Sequence, residues 1–172
     1  GDVITVFIDG VASSSRAAAV TKYNGSGNIT GVVLYEAHLT LGSNDNQTIS
    51  NDSISKYDKT VSGDTDIFFD VDDSQNLTLD TSSSFGTDRL LVVQGNMFQP
   101  TSTGAAVIVR ADNFYTSSTA STTLNGTVLR LDGSFVNAGT FRASTSTVEF
   151  SSSTSQVDCS ACSFYNLTAS ST

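Results

Sequence analysis

Over residues 126–172 the chain is written in short runs of alternating apolar and small polar residues, broken by Gly, Asn and Ser. Residues 128–133, 139–143, 147–150 and 164–168 are rich in β-formers and bounded by turn-formers, and none is long enough for a helix. Residues 89–93 and 106–110 continue the series backwards, so the stronger apolar centres recur roughly every 16 to 21 residues, near the lower edge of solenoid repeats. This predicts an all-β fold with very little helix. Stacked coils of a β-solenoid fit the spacing. A β-sandwich fits it too if the weaker runs between the strong ones are strands, because sandwich strands recur every roughly 8 to 12 residues.

Ser and Thr make up roughly a third of the chain, while charged residues are 15%, well below the usual quarter. Such a composition reads as disorder when apolar residues are scarce, but here they total 38% and fall at period two inside the hydroxyl-rich tracts. A chain of 172 residues with that pattern can bury enough surface to order itself. The net charge is −9 and no Lys/Arg cluster occurs, which disfavours nucleic acid and anionic membranes as partners. Divalent cations, Ca²⁺ in particular, are the ionic partners such a balance favours. No apolar run approaches the roughly 18 residues of a membrane span. The start at Gly1 carries no signal-peptide pattern and reads as a processed chain or an excised fragment.

Texture divides the chain into an acidic β-rich module, 1–81, and a Ser/Thr/Gly-rich β module, 82–172, with Ser82, Ser83 and Ser84 as a seam; one continuous all-β domain is the other reading. In the first module, Val3, Ile4, Val6, Phe7 and Ile8 form a run apolar on both faces. Such a run suits a central strand covered on both sides, or a strand donated to a neighbouring copy. Residues 17–23 read as strand despite three consecutive alanines, and residues 32–41 alternate cleanly enough to predict one long strand. Ile67, Phe69 and Val71 fall on one strand face with Asp66, Phe68, Asp70 and Asp72 on the other. A turn and a second strand over 76–80 follow, and Pro100 ends a short strand after Phe98.

Asp64, Asp66, Asp70, Asp72 and Asp73 are the densest carboxylate cluster. Spacing of i, i+2 on a strand sets side chains roughly 6.5 Å apart on one face, from which Ca²⁺ oxygen ligands can be gathered. A solvated acidic turn that blocks edge pairing uses the same residues. His38, the single histidine, lies beside Glu36 and Thr40 but lacks a nucleophile or a second metal ligand, so no catalytic set is specified. Glu36 and Glu149, the only glutamates, could form a glycosidase pair only if distant strands meet. Cys159 and Cys162 stand as a lone CxxC without the context of a zinc or thioredoxin-like site, and predict a local disulfide in an oxidising exterior. Asn-x-Ser/Thr sequons occur at Asn24, Asn28, Asn46, Asn51, Asn76, Asn125 and Asn166. Lys22, Lys56 and Lys59 leave few donors for a Lys–Asn crosslink.

Residues 139–150, with Gly139, Phe141, Val148 and Phe150, then Gln156-Val157, then Phe164-Tyr165-Asn166-Leu167-Thr168, resemble a "GTF-A-TSTV-F … Q-I … FYNLT" module repeated in large secreted surface proteins of prokaryotes. Residues 29–69 more loosely resemble another module of such chains. The resemblance implies a β-helical or otherwise all-β fold, a role as stalk, adhesin or envelope layer, and no catalytic residues; the Cys159/Cys162 pair departs from it. The expected function is therefore a secreted, cell-surface structural or adhesive protein. It would act as a module or filament subunit that contacts itself or neighbouring modules through β-strands. A carbohydrate-binding module using Tyr23, Tyr35, Tyr57, Tyr115 or Tyr165, and a polysaccharide-active enzyme, are the alternatives. The absence of tryptophan argues against the former.

Overall fold

A computed structural model describes residues 1–42, 47–81, 88–95, 97–101 and 106–170. The chain winds into a β-solenoid of about 7 turns, 41% strand and 9% helical. The sandwich alternative falls away. The walls of the solenoid are three sheets, the second wholly parallel and the other two parallel except for β1–β2 and β5–β6, and successive coils add strands to them.

The first sheet takes β1 (Asp2–Phe7), β2 (Ala18–Tyr23), β3 (His38–Gly42), β7 (Leu90–Gln94), β10 (Asn113–Thr116), β13 (Phe135–Asn137) and β16 (Val157–Cys159), in that order. The second runs β14 (Thr140–Arg142), β11 (Ser121–Thr123), β8 (Met97–Phe98), β4 (Thr48–Ile49). The third runs β17 (Asn166–Ala169), β15 (Thr147–Phe150), β12 (Val128–Leu131), β9 (Ile108–Ala111), β6 (Leu77–Leu79), β5 (Phe69–Val71). Strands on either side of the Ser82–Ser84 seam are hydrogen-bonded neighbours, since β3 pairs β7 and β6 pairs β9. The seam itself and the Asn46 sequon lie outside the described residues.

Parallel, in-register stacking turns period-two alternation into ladders. On the inner face of the first sheet Ala18, Leu39, Leu91, Phe114 and Phe135 stack in turn; on the third, Leu77, Val109, Leu129 and Val148 do the same. All of these are buried. In the second sheet Ile49, Phe98, Thr122 and Phe141 form the inward column. Burying one aliphatic or aromatic side chain contributes about 1.5–3 kcal/mol, so these columns are the main source of stability.

The coil period is 19 residues from Leu129 to Val148 on the third sheet and 22 from Phe135 to Val157 on the first. The 16-to-21 spacing read from the sequence therefore mixes two distances: Leu91 and Val109 are on the first and third walls of one coil, with β8 on the second between them, and are not equivalent positions of two coils. The tight corner between β13 and β14 requires Gly139, where a Cβ would collide with the carbonyl oxygens of Ser117 and Ala120.

Two expectations for the N-terminal part need correction. Residues 32–41 do not make one strand: Ala37 turns with φ 59°, β3 starts at His38, and Val32, Val33 and Tyr35 are exposed. The run Val3, Ile4, Val6, Phe7, Ile8 is not a central strand. Its first four members lie in β1, an antiparallel edge strand on β2, and Ile8 lies outside it. Between β4 and β5 come two single-turn helices, α1 (Asn51–Ile54) and α2 (Lys59–Ser62), linked by a 3-10 turn (Ser55–Tyr57). Buried Asp58 anchors this insertion, accepting from the amides of Val61 (2.8 Å) and Val71 (3.1 Å). Antiparallel β1, the antiparallel β5–β6 hairpin and these helices close one end of the solenoid.

Candidate functional sites

The five-aspartate cluster separates. Asp64 and Asp66 meet Asp9, from the loop after β1, with carboxylate oxygens within 4.8 Å of one another. Asp66 is already engaged by the amide of Gly10 (2.7 Å) and by Arg16 (3.5 Å), and Asp64 accepts from the amide of Asp66 (2.9 Å). These three carboxylates could supply part of the roughly six to eight oxygens of a Ca²⁺ shell, with Arg16 as a competing partner of Asp66. Asp70 instead caps the amide of Thr60 (3.1 Å), and Asp73 is exposed in the hairpin turn. Asp72 organises that turn, accepting from the amides of Ser74 and Asn76 (both 2.9 Å) and from Asn76 Nδ2 (2.8 Å). Partial desolvation raises the Asp72 pKa, but these hydrogen bonds and the charge of Arg110 outweigh it and hold the carboxyl below its ordinary value.

His38 and the glutamates form no acid–base set. His38 Nδ1 lies 2.5 Å from the backbone carbonyl of Glu36, and its ring tilts against Tyr35 at 5.6 Å. Glu36 sits in the turn ahead of β3, whereas Glu149 is on β15 of another sheet, paired with Arg130 Nε at 2.5 Å.

Cys159 and Cys162 form the expected close pair, with Cα atoms 5.7 Å apart. Cys159 occupies the inward register above Asn137, and both cysteines pack with Phe164 against the core. Phe164 closes an aromatic stack, 5.5 Å from both Phe135 and Phe141. The cysteines thus help plug one corner of the last coil.

The rest of that coil is open. Leu167 continues the Leu129–Val148 column and Val157 the Phe114–Phe135 column, yet they are 52% and 47% exposed, and Tyr165 63%. Among the described residues no second-sheet strand follows β14, and a groove of about 340 Å³ opens between Phe141 and Tyr165.

Of the five tyrosines, two come together. Tyr35 and Tyr115 flank a shallow groove of about 310 Å³ on the outer face of the first sheet, with Leu90 and Val92 as its floor and His38 at its side. A second groove, of about 340 Å³, lies where the third sheet turns toward the first. It is lined by Arg89, Arg110 and Arg130 together with Asp112, Asp132 and Glu149; the arginines are scattered through 89–130 and share no sequence motif. Their only signal is the outward position of a charge inside otherwise apolar strands, as in Val128-Leu129-Arg130-Leu131. Arg89 is tied to fully buried Asp112 through its own amide (2.9 Å), Nε (2.7 Å) and a terminal nitrogen. That hydrogen bonding, against the cost of desolvation, raises the arginine's pKa further.

No helix of the described residues is long and apolar enough to cross a membrane. No protein-family model matches the chain, and no curated protein and no solved structure is significantly similar to it.

Proposed function

We propose that this chain is an extracellular structural or adhesive module, a stiff β-solenoid unit of a surface protein or filament that joins further β-structure end to end. The observation that carries this reading is the C-terminal coil: among the described residues Leu167 and Val157 stand in core register with no strand stacked on them, and β16 and β17 each have one unpaired edge. A solenoid end of this kind buries its columns only by receiving another coil or strand. The hydroxyl-rich surface and the Cys159/Cys162 pair suit an oxidising exterior. Exchange of the N-terminal strand is the second route to assembly, because β1 is an edge strand whose one strand neighbour is β2, with a hydrogen bond from Thr5 Oγ1 to the Tyr57 carbonyl (3.1 Å) beside it.

The test is analytical ultracentrifugation with negative-stain microscopy of three proteins: the full chain, Leu167→Asp, and the chain lacking residues 1–10. End-to-end particles that Leu167→Asp disperses support the reading, and loss on deletion of 1–10 assigns assembly to β1 instead. Monomers of the full chain at every concentration would sink the filament reading and exchange of β1, and would favour a module of a larger chain or a binding domain. The Tyr35/Tyr115 groove favours a second reading, a carbohydrate-binding module; glycan binding lost in Tyr35→Ala and Tyr115→Ala, with no assembly, would establish that one.

A further inference from the structure

We propose that the groove at the turn from the third sheet to the first binds a carboxylated oligosaccharide, with Arg110 and Arg130 holding one carboxylate between them. Arg110 on β9 and Arg130 on β12 are direct register partners. Parallel neighbours lie roughly 4.8 Å apart, and like charges placed opposite one another destabilise a sheet. Glu149, the next residue in that outward row, takes Arg130 Nε at 2.5 Å, while among the described residues Arg110 has only the longer-range attraction of Asp72 and makes no ion pair within 4.0 Å. An anion seated between the two guanidinium groups removes the mismatch.

A planar carboxylate matches the guanidinium fork in two parallel hydrogen bonds. Hydroxyl groups from Thr78 and Ser151 also line the groove, and they suit the hydroxyls of a sugar ring. The outward row Thr78, Arg110, Arg130, Glu149 crosses successive coils, so an extended polymer lies along the solenoid axis with its units facing successive strands. The net charge of −9 opposes every polyanion at long range, so binding rests on the local arginine pair and one carboxylate, and nucleic acid, which needs an extended basic footprint, has no such surface among the described residues. The paired arginines lie on β9 and β12, with β15 between them and β17, the strand of Leu167, although Ser170 after β17 also lines the groove.

The experiment is calorimetric titration, with backbone amide shifts, against an oligogalacturonate, its neutral galactose counterpart and a sulfated oligosaccharide of equal length. The carboxylated ligand is expected to bind, to shift the amides of Arg110, Arg130 and Ser151, and to weaken as salt rises. Arg110→Gln should bind about 10- to 100-fold more weakly, the loss of one charge-assisted contact. Arg142→Gln, an exposed arginine outside the groove, should bind as the parent does. Glu149→Gln releases Arg130 and should tighten binding several-fold, which a merely structural role would not produce. The proposal is overturned by no binding of the oligogalacturonate, by equal binding of the neutral sugar, by binding of the sulfated ligand alone, or by unchanged affinity in Arg110→Gln. It is equally overturned if Arg110→Gln disperses self-association while no glycan binds, which would assign the arginine to contacts between copies.

Discussion

Asp112 shows how unequal the acidic residues of this chain are. It is fully buried and satisfies three donors of Arg89, so Asp112→Ala leaves a guanidinium only 15% exposed with the Asp80 carbonyl (3.2 Å) and the more distant Asp132, and should cost about 3 kcal/mol in urea unfolding. Removing Asp52 from its surface pair with Lys56, both more than half exposed, should change stability by less than about 1 kcal/mol; equal losses would refute the distinction. Asp72 gives a pH signature. Its folded-state pKa is lowered from 3.8, so its contribution is complete above that value and disappears as pH falls through the folded pKa. Between about pH 6 and about pH 3 the Asp72→Asn protein should therefore lose less stability than the parent, and parallel pH profiles would exclude the effect. Neither role was legible in the sequence. Density along 64–73 suggested one carboxylate face, but β5 begins only at Phe69 and the chain reverses at Asp72, which sends these side chains to different partners. Asp112, by contrast, gave no signal, because its partner Arg89 belongs to the coil below.

Among the elements, those whose inward residues are apolar could be read directly: β12, β15 and the β5–β6 hairpin lie where alternation predicts them. β10, β11 and β13 escaped because Thr116, Thr122 and Asn137 take inward positions and break the hydropathy period. The structure shows how the core accepts them. The hydroxyls of Thr116 and Thr122 bond each other at 3.0 Å across the corner, and Asn137 Nδ2 donates to the Gly139 carbonyl at 2.9 Å. Thr116→Val alone should cost about 1–3 kcal/mol by orphaning the Thr122 hydroxyl, whereas the double change to Val should be nearly neutral. A double-mutant cycle by chemical denaturation reads this coupling, and additive losses would show that the hydroxyls act separately. The long strand expected over 32–41 failed for the opposite reason: its alternation is real, but the left-handed turn at Ala37 ends it before the sheet begins.

At the scale of the whole molecule, the sequence revealed coils but not their ends. One end is closed by antiparallel β1, the β5–β6 hairpin and the helical insertion, and that closure depends on pairings remote in sequence. The other carries Leu167 and Val157 in core register but exposed. Because each coil touches only its neighbours, stability should be graded along the axis rather than uniform. Amide exchange is expected to be slowest in β7, β10 and β13 and fastest in β17, whose residues are all exposed. The Cys159/Cys162 link belongs to this gradient. It closes a loop with a sequence separation of 3, for which the chain-entropy treatment gives about 2 kcal/mol, and it lies in the last coil. Reduction should therefore raise exchange in β16 and around Phe164 while leaving β7 and β10 unchanged. If exchange rose equally along the axis, the coils would unfold as one cooperative block, and the open end could not take up a partner without the whole solenoid responding.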